Sequence, residues 1–88
     1  MKTTCRYRIY TELKNLENIA HILNSSFEGY TMYPARGVWK GIPEKALVIE
    51  IIEESAQEKV LCAARSIKEF NGQDAVFITT EKIEAELI

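Results

Sequence analysis

The sequence predicts an α+β fold of the ferredoxin-like type, a two-layer sandwich with the element order βαββαβ. Two segments have the apolar spacing of amphipathic helices, and the segments around them have the alternation or the apolar composition of strands. Right-handed connections place both helices on one face of an antiparallel sheet. A length of 88 residues suits one domain, which we assign to residues 1–88.

The first strand is predicted from Thr4 to Thr11, where the residues alternate between two unlike faces. The two sets are Cys5, Tyr7, Ile9 and Arg6, Arg8, Tyr10. We expect the first set to face the helices.

The first helix is predicted to begin near Asn15, a residue type that suits an N-cap. Its apolar residues recur at helical spacing and define one buried stripe. They are Leu16, Ile19, Ala20, Leu23 and Phe27.

The connection from Gly29 to Gly41 contains the only Trp of the chain and two of its four Tyr. Short extended segments are predicted at Tyr30–Tyr33 and Val38–Lys40, on either side of a turn at Pro34–Gly37. A chain this short has few large aromatic residues, so their presence in a connection indicates a binding loop.

The third strand, Ala46–Ile52, is apolar on both faces except at Glu50. Ser55 and Glu58 have the spacing of a capping box at the start of the second helix. The stripe of that helix is Val60, Ala63, Ala64, Ile67 and Phe70. Asn71-Gly72 is predicted to end it.

The last strand is predicted at Ala75–Thr80. Residues Lys82 to Ile88 alternate again and predict a short C-terminal edge strand, with a last helical turn as the alternative.

One face of this sheet has no helix over it. Glu50 is expected on that open face, paired with Arg6 or Arg8, because an unpaired carboxylate under the helices would cost several kcal/mol. A strand that is apolar on both sides favours burial of the open face against other subunits, and a solvated monomer is the alternative. The predicted interface residues are Arg6, Arg8, Val48, Glu50 and Ile52.

Three local features add a resemblance to a known family: a strand start at Gly29-Tyr30, the run Gly37–Gly41, and the apolar strand Leu47–Ile52. Together with the element order, the length and the long second connection, they resemble the PII-like superfamily of PII regulators and CutA-type proteins. The resemblance implies a trimer with the open sheet faces turned inward. It also implies ligands, often nucleotides or other anions, in clefts between subunits near the base of the loop.

We expect the ligand site at that loop base. The first strand is taken as parallel to the third, with its C-terminal end near the loop exit. Arg36 and Lys40 would hold an anion and Trp39 would stack on a flat ring, although the favoured role of Trp39 is to anchor the loop to the sheet or to a neighbouring subunit. The predicted site residues are Tyr10, Glu12, Tyr30, Arg36, Gly37, Trp39 and Lys40.

Other classes of function are disfavoured. A net charge of -2, from 11 basic and 13 acidic residues, lacks the basic excess typical of nucleic-acid binding. His21 is the only histidine and reads as a surface residue, so no catalytic residue or metal site is predicted, and any cofactor is unknown. Cys5 and Cys62 are expected as reduced thiols in the cytoplasm.

The loop residues and the resemblance together predict a small PII-like sensor or adaptor that binds an anionic metabolite or nucleotide in an intersubunit cleft. Its 30–41 loop would contact a partner protein. A ligand-independent interaction or inhibitor module, for example from a mobile element, is the alternative. An enzyme is the third hypothesis and has the least support.

Overall fold

The computed structural model describes residues Met1–Ile88 and has six elements around one core. They are β1 (Lys2–Glu12), α1 (Leu16–Asn24), β2 (Thr31–Trp39), β3 (Ile42–Ile52), α2 (Gln57–Asn71) and β4 (Phe77–Ala85). The sheet order is β2-β3-β1-β4 and every pair is antiparallel. This confirms the predicted ferredoxin-like α+β class.

The relation between β1 and β3 differs from the one expected. The two strands are central neighbours, but they pair antiparallel, with Glu12 opposite Ala46 and Arg6 opposite Ile52. Parallel pairing was wrong because β3 returns from β2 through a hairpin and so runs against β1. The C-terminal end of β1 nevertheless lies beside the start of β3, as the site prediction requires.

The core lies between the helices and one face of the sheet. Tyr7 and Ile9 of β1 face the helices, as predicted, and so do Leu47, Ile49 and Ile51 of β3. The helices contribute Ile19, Leu23, Val60, Ala63, Ala64 and Ile67. Two residues of the predicted stripes are largely exposed instead: Leu16, at 45%, and Phe70, at 55%. Each lies near one end of its helix.

Asn15 is the N-cap residue of α1, as predicted, whereas the capping box predicted at Ser55 was wrong. Asn15 does precede α1, but its φ is 56° and its side-chain amide donates to Asn71 Oδ1 at 2.9 Å rather than capping the helix. The N-cap of α2 is Ala56, not Ser55, and no side-chain cap bond is present. Ser55 has a φ of 53°, so it turns the chain into the helix. The predicted C-cap is confirmed, because Gly72 has a φ of 64°.

The segment predicted as a loop is a β-hairpin. β2 runs without interruption through Pro34 and Gly37, and the turn falls at Lys40 and Gly41. Both turn residues have positive φ, 52° and 78°, the pattern of a type I′ hairpin. Pro34 is accommodated because β2 is an edge strand, where a missing N–H donor costs no ladder bond.

The C-terminal region forms one strand rather than two. β4 pairs with β1 from Phe77 opposite Tyr10 to Ala85 opposite Lys2, so the residues from Lys82 onward continue the same strand. The separate C-terminal edge strand was therefore a wrong prediction. β1 has 11 residues, so it is long enough to pair with both segments that were predicted as separate strands.

Neither helix has the length and apolar character needed to cross a membrane.

Candidate functional site

The β2–β3 hairpin projects past the rest of the sheet. β1 pairs with β3 only from Ala46 onward, so residues 36–45 pair with no third strand, although the Leu13 N–H just beyond β1 donates to the Lys45 carbonyl at 3.0 Å. We call these residues the arm. Three of its apolar side chains are exposed, namely Val38 at 66%, Trp39 at 43% and Ile42 at 68%. The arm thus presents large apolar groups beside the end of β1.

A cleft of about 210 Å³ lies at the base of the arm. The end of β1 and the start of β4 form one wall, and the arm forms the other. Its aromatic rings are Tyr10, Trp39 and Phe77, and its carboxylates are Glu12, Glu44 and Asp74. We call this cavity the aromatic cleft.

The aromatic cleft is acidic. None of its 11 lining residues is Lys or Arg, whereas three are carboxylates. Lys14 lies 3.9 Å from Glu12, while Glu44 and Asp74 form no ion pair. Lys40 of the arm contacts one of the walls, with its Nζ 5.8 Å from the centroid of the Trp39 ring. The local field therefore favours positive charge at the aromatic walls.

Hydrogen bonds centred on Gln73 hold one wall of the aromatic cleft. Gln73 Oε1 accepts from Thr11 Oγ1 and from Asn71 Nδ2, the latter at 2.8 Å, while Gln73 Nε2 donates to the Ala75 carbonyl at 3.1 Å. Asn71 in turn accepts from Asn15. Thr11 and Asn71 are buried, at 5% and 6% exposed. These bonds tie the helix ends to β1 and fix the Gln73–Ala75 segment.

The structure brings together four of the seven predicted site residues. Tyr10, Glu12, Gly37 and Trp39 line the aromatic cleft. Lys40 sits at the arm tip against Trp39. Arg36 lies outside the cleft, on the opposite face of the arm, across from Lys45.

Tyr30 lies apart from this cleft and precedes β2. Its hydroxyl pairs with Asn24 Oδ1 at 2.6 Å, and its ring packs against the core. It lines a separate groove with Glu50 and Ile52. The predicted set therefore divides between the two ends of the hairpin.

Sequence reasoning missed several residues of the aromatic cleft, chiefly Glu44, Gln73, Asp74 and Phe77. Phe77 follows from the sheet order, which places β4 beside β1 with Phe77 opposite Tyr10. Glu44 required the correct hairpin register, in which it faces Gly37. Gln73 and Asp74 follow the helix C-cap, where no periodic pattern indicates position.

The open sheet face carries a network of ion pairs. Arg8 Nε donates to Glu50 Oε2 at 2.9 Å, and this bond raises the pKa of Arg8. Arg6 Nη2 donates to Glu81 Oε1 at 2.6 Å, and Arg8 Nη1 reaches the same oxygen at 3.4 Å. The hydrogen bond from Arg6 lowers the pKa of Glu81. Of the two expected partners of Glu50, Arg8 is the one that binds it.

Aromatic side chains adjoin this network. Val48 is only 5% exposed although it lies on the open face, because its cross-strand neighbours are Tyr10 and Tyr33. Ile52 is 50% exposed at the far end of β3. The open face therefore combines charged pairs, tyrosine rings and exposed apolar atoms.

Other reactive groups lie apart from this surface. His21 is exposed on α1, and both cysteines are free. No group of three or more His, Cys, Asp or Glu side chains has an arrangement that could hold a metal ion.

Comparison with solved structures identifies the fold. A DUF3240 family protein from Shewanella baltica OS155 superposes with a TM-score of 0.78 at 14% identity, over 100% of this chain and 98% of that one. CPII from Thiomonas intermedia K12, a nitrogen regulatory PII-like protein bound to ADP, AMP and bicarbonate, gives 0.66 at 16% identity, over 98% of both chains. The chain has the fold of PII-like proteins.

The PII-like fold does not fix one function. A phage SAM lyase in its apo state superposes with a TM-score of 0.62 at 16% identity, over 98% of this chain and 93% of that one. No protein-family model matches the sequence, and the search among curated proteins found no significant match. Since regulators and an enzyme share this architecture, function has to be argued from the site.

Proposed function

We propose that the chain is a PII-like sensor or adaptor that assembles into a homo-oligomer, most simply a trimer, and works in the cytoplasm. Each subunit holds a small charged metabolite in the aromatic cleft and uses the arm to contact a partner protein. The observation that carries this proposal is the aromatic cleft at the base of a projecting hairpin. Occupancy of the cleft and the position of the arm are coupled because Gly37, Val38 and Trp39 belong to both.

The open face supports assembly through Arg6, Arg8, Val48, Glu50 and Ile52. Its ion pairs are already formed within one subunit, so burial does not require charges to find new partners. Tyr33 is also exposed on this face, at 39%, and lies outside the aromatic cleft. Such a surface, apolar with internally paired charges, is suited to contact with identical copies.

The anionic ligand predicted from the sequence draws support from CPII, which was solved with ADP, AMP and bicarbonate. In this chain, the bases assigned to the anion are Arg36, which lies outside the aromatic cleft, and Lys40, at its rim. A nucleotide at this site would stack on Trp39 and depend on Lys40 or on a neighbouring subunit to neutralise its phosphates.

Two measurements on the purified full chain test this function. Light scattering should give an assembly of several 10.1 kDa subunits. Titration of charged metabolites, including nucleotides and amines, should change the fluorescence of Trp39, the only tryptophan. An oligomer that responds to no metabolite would contradict the sensor and favour the ligand-independent interaction module. A monomer would contradict the assembly.

A further inference from the structure

The sign of charge in the aromatic cleft determines which ligand class it accepts. We infer that the cleft binds a small organic cation, such as a quaternary ammonium or a protonated amine, rather than an anion. This inference rests on the proposed ligand-binding function and specifies its ligand class. It reverses the charge that the sequence predicts.

The first argument is electrostatic. Glu12, Glu44 and Asp74 line the cleft, and no lining residue is basic. Glu12 forms an ion pair with Lys14 at 3.9 Å, whereas Glu44 and Asp74 form none, although Glu44 also lines the groove on the other face of the arm together with Arg36 and Lys45. An anion entering here meets two unpaired carboxylates, whereas a cation is attracted by them. Arg36 does not line the cleft and lies with Lys45 in the groove on the other face of the arm.

The second argument is the chemistry of the walls. Tyr10, Trp39 and Phe77 line the cleft and are partly exposed, so a ligand in the cleft can contact their rings. Aromatic faces carry negative quadrupole charge and attract alkylated ammonium groups, with Trp the strongest of the three ring types. Walls that combine aromatic rings with carboxylates solvate both the alkyl body and the charge of such a ligand.

The third argument is that the protein already places a cation on this indole. Lys40 Nζ lies 5.8 Å from the centroid of the Trp39 ring and forms no ion pair. Lys40 is held there by the turn, next to Trp39 in the chain and with a φ of 52°. The Lys40 ammonium therefore acts as an internal competitor that an incoming cation displaces from the ring.

The test uses choline and its uncharged isostere 3,3-dimethylbutan-1-ol, with Trp39 fluorescence as the readout. The two probes share shape and apolar area, so the difference between them isolates the positive charge. Choline should bind about three- to thirtyfold more tightly than the isostere, the range that a partly desolvated cation–π contact provides. ADP should bind more weakly than choline. Added salt should weaken choline binding and leave the isostere unaffected.

Substitution of Lys40 distinguishes a cation site from an anion site, because the two predict opposite changes in affinity. Lys40→Gln removes the competing ammonium and leaves a polar side chain one atom shorter, so choline should bind severalfold more tightly. An anion site would lose affinity in the same variant. Lys2→Gln is the matched control, because Lys2 lies at the opposite end of β1 from Glu12 and loses the same charge. It should leave both affinities unchanged.

Removal of a cleft carboxylate should have the opposite effect on choline affinity to removal of the Lys40 ammonium. Glu44→Gln and Asp74→Asn should each weaken choline binding severalfold, while Glu84→Gln, on the distant part of β4 opposite Thr3, should not. Tighter binding of ADP than of choline, with loss of ADP affinity in Lys40→Gln, would overturn the inference and leave the sensor function standing. Absence of any response to both probes would also overturn the inference, and the wider metabolite titration then decides the sensor function.

Discussion

The hydroxyl of Tyr7 links the sheet to the start of α2. The side chain is 4% exposed in the core, and its oxygen accepts a hydrogen bond from the Ala56 N–H at 3.1 Å. Ala56 is the N-cap residue of α2 and lacks a side chain that could cap the helix. Burial raises the pKa of Tyr7 above its ordinary value of 10.0. One phenol therefore serves both core packing and helix entry.

Replacement of Tyr7 by Phe should lower the free energy of unfolding by about 1–3 kcal/mol, because the buried Ala56 N–H loses its acceptor. The measurement is urea unfolding at neutral pH. Tyr30→Phe is the control, since its hydroxyl pairs with the exposed Asn24, and it should cost about 0.5 kcal/mol or less. Equal losses in the two variants would contradict the role assigned to Tyr7.

The raised pKa of Tyr7 also has a consequence at alkaline pH. Above pH 10 the unfolded chain has lost the Tyr7 proton while the folded chain still holds it, so stability falls as pH rises. Tyr7→Phe removes this contribution, and the gap in unfolding free energy between variant and wild type should narrow above pH 10.

The hairpin shows how far single elements could be predicted from the sequence. Pro34 and Gly37 are common turn residues, and on local preference alone they predict a turn between two short strands. Pairing with β3 overrides that preference, since each residue of β2 gains a cross-strand partner and the edge position tolerates proline. The turn moves to Lys40-Gly41, where glycine accepts a positive φ.

Gly41→Ala should lower the free energy of unfolding by about 1 kcal/mol, because alanine is strained at a φ of 78°. The measurement is thermal or urea unfolding of the full chain. Gly29→Ala is a matched control: its added methyl meets no atom within 4 Å and its φ is not positive. A change at Gly29 as large as that at Gly41 would show that the turn geometry is not the cause.

The candidate site was predictable only where strand periodicity determined the residues. Tyr10 and Glu12 follow from the alternation of β1, and Trp39 stands out as the single tryptophan. The acidic character of the site was not predictable. Asp74 lies in an irregular segment, and the position of Glu44 opposite Gly37 follows only when the turn is placed at Lys40-Gly41. Arg36 was misplaced for the same reason, since a strand puts alternate residues on opposite faces.

At the scale of the whole molecule, one face of the sheet packs on two helices and the other has no cover. Both faces of β3 are apolar, yet Val48 is shielded only by neighbouring tyrosines and Ile52 remains half exposed. The charged groups on this face pair with one another across β3, β1 and β4. An assembly in which this face is buried would move Arg8 and Glu50 from partial to full burial.

Glu50→Ala should therefore weaken the assembly by about 3 kcal/mol per buried pair, the lower end of the range for breaking such a pair, since Glu81 keeps a second contact to Arg8. Light scattering during dilution should show the variant dissociating at higher concentrations than the wild type. Glu53→Ala is the control, because Glu53 pairs with Lys59 of α2 and so belongs to the helical layer. Because the Glu53–Lys59 pair is not on the open face, Glu53→Ala should dissociate at the same concentration as the wild type. Identical dilution curves for Glu50→Ala and wild type would exclude the open face as the contact surface, and Tyr33 on that face would then remain exposed to solvent.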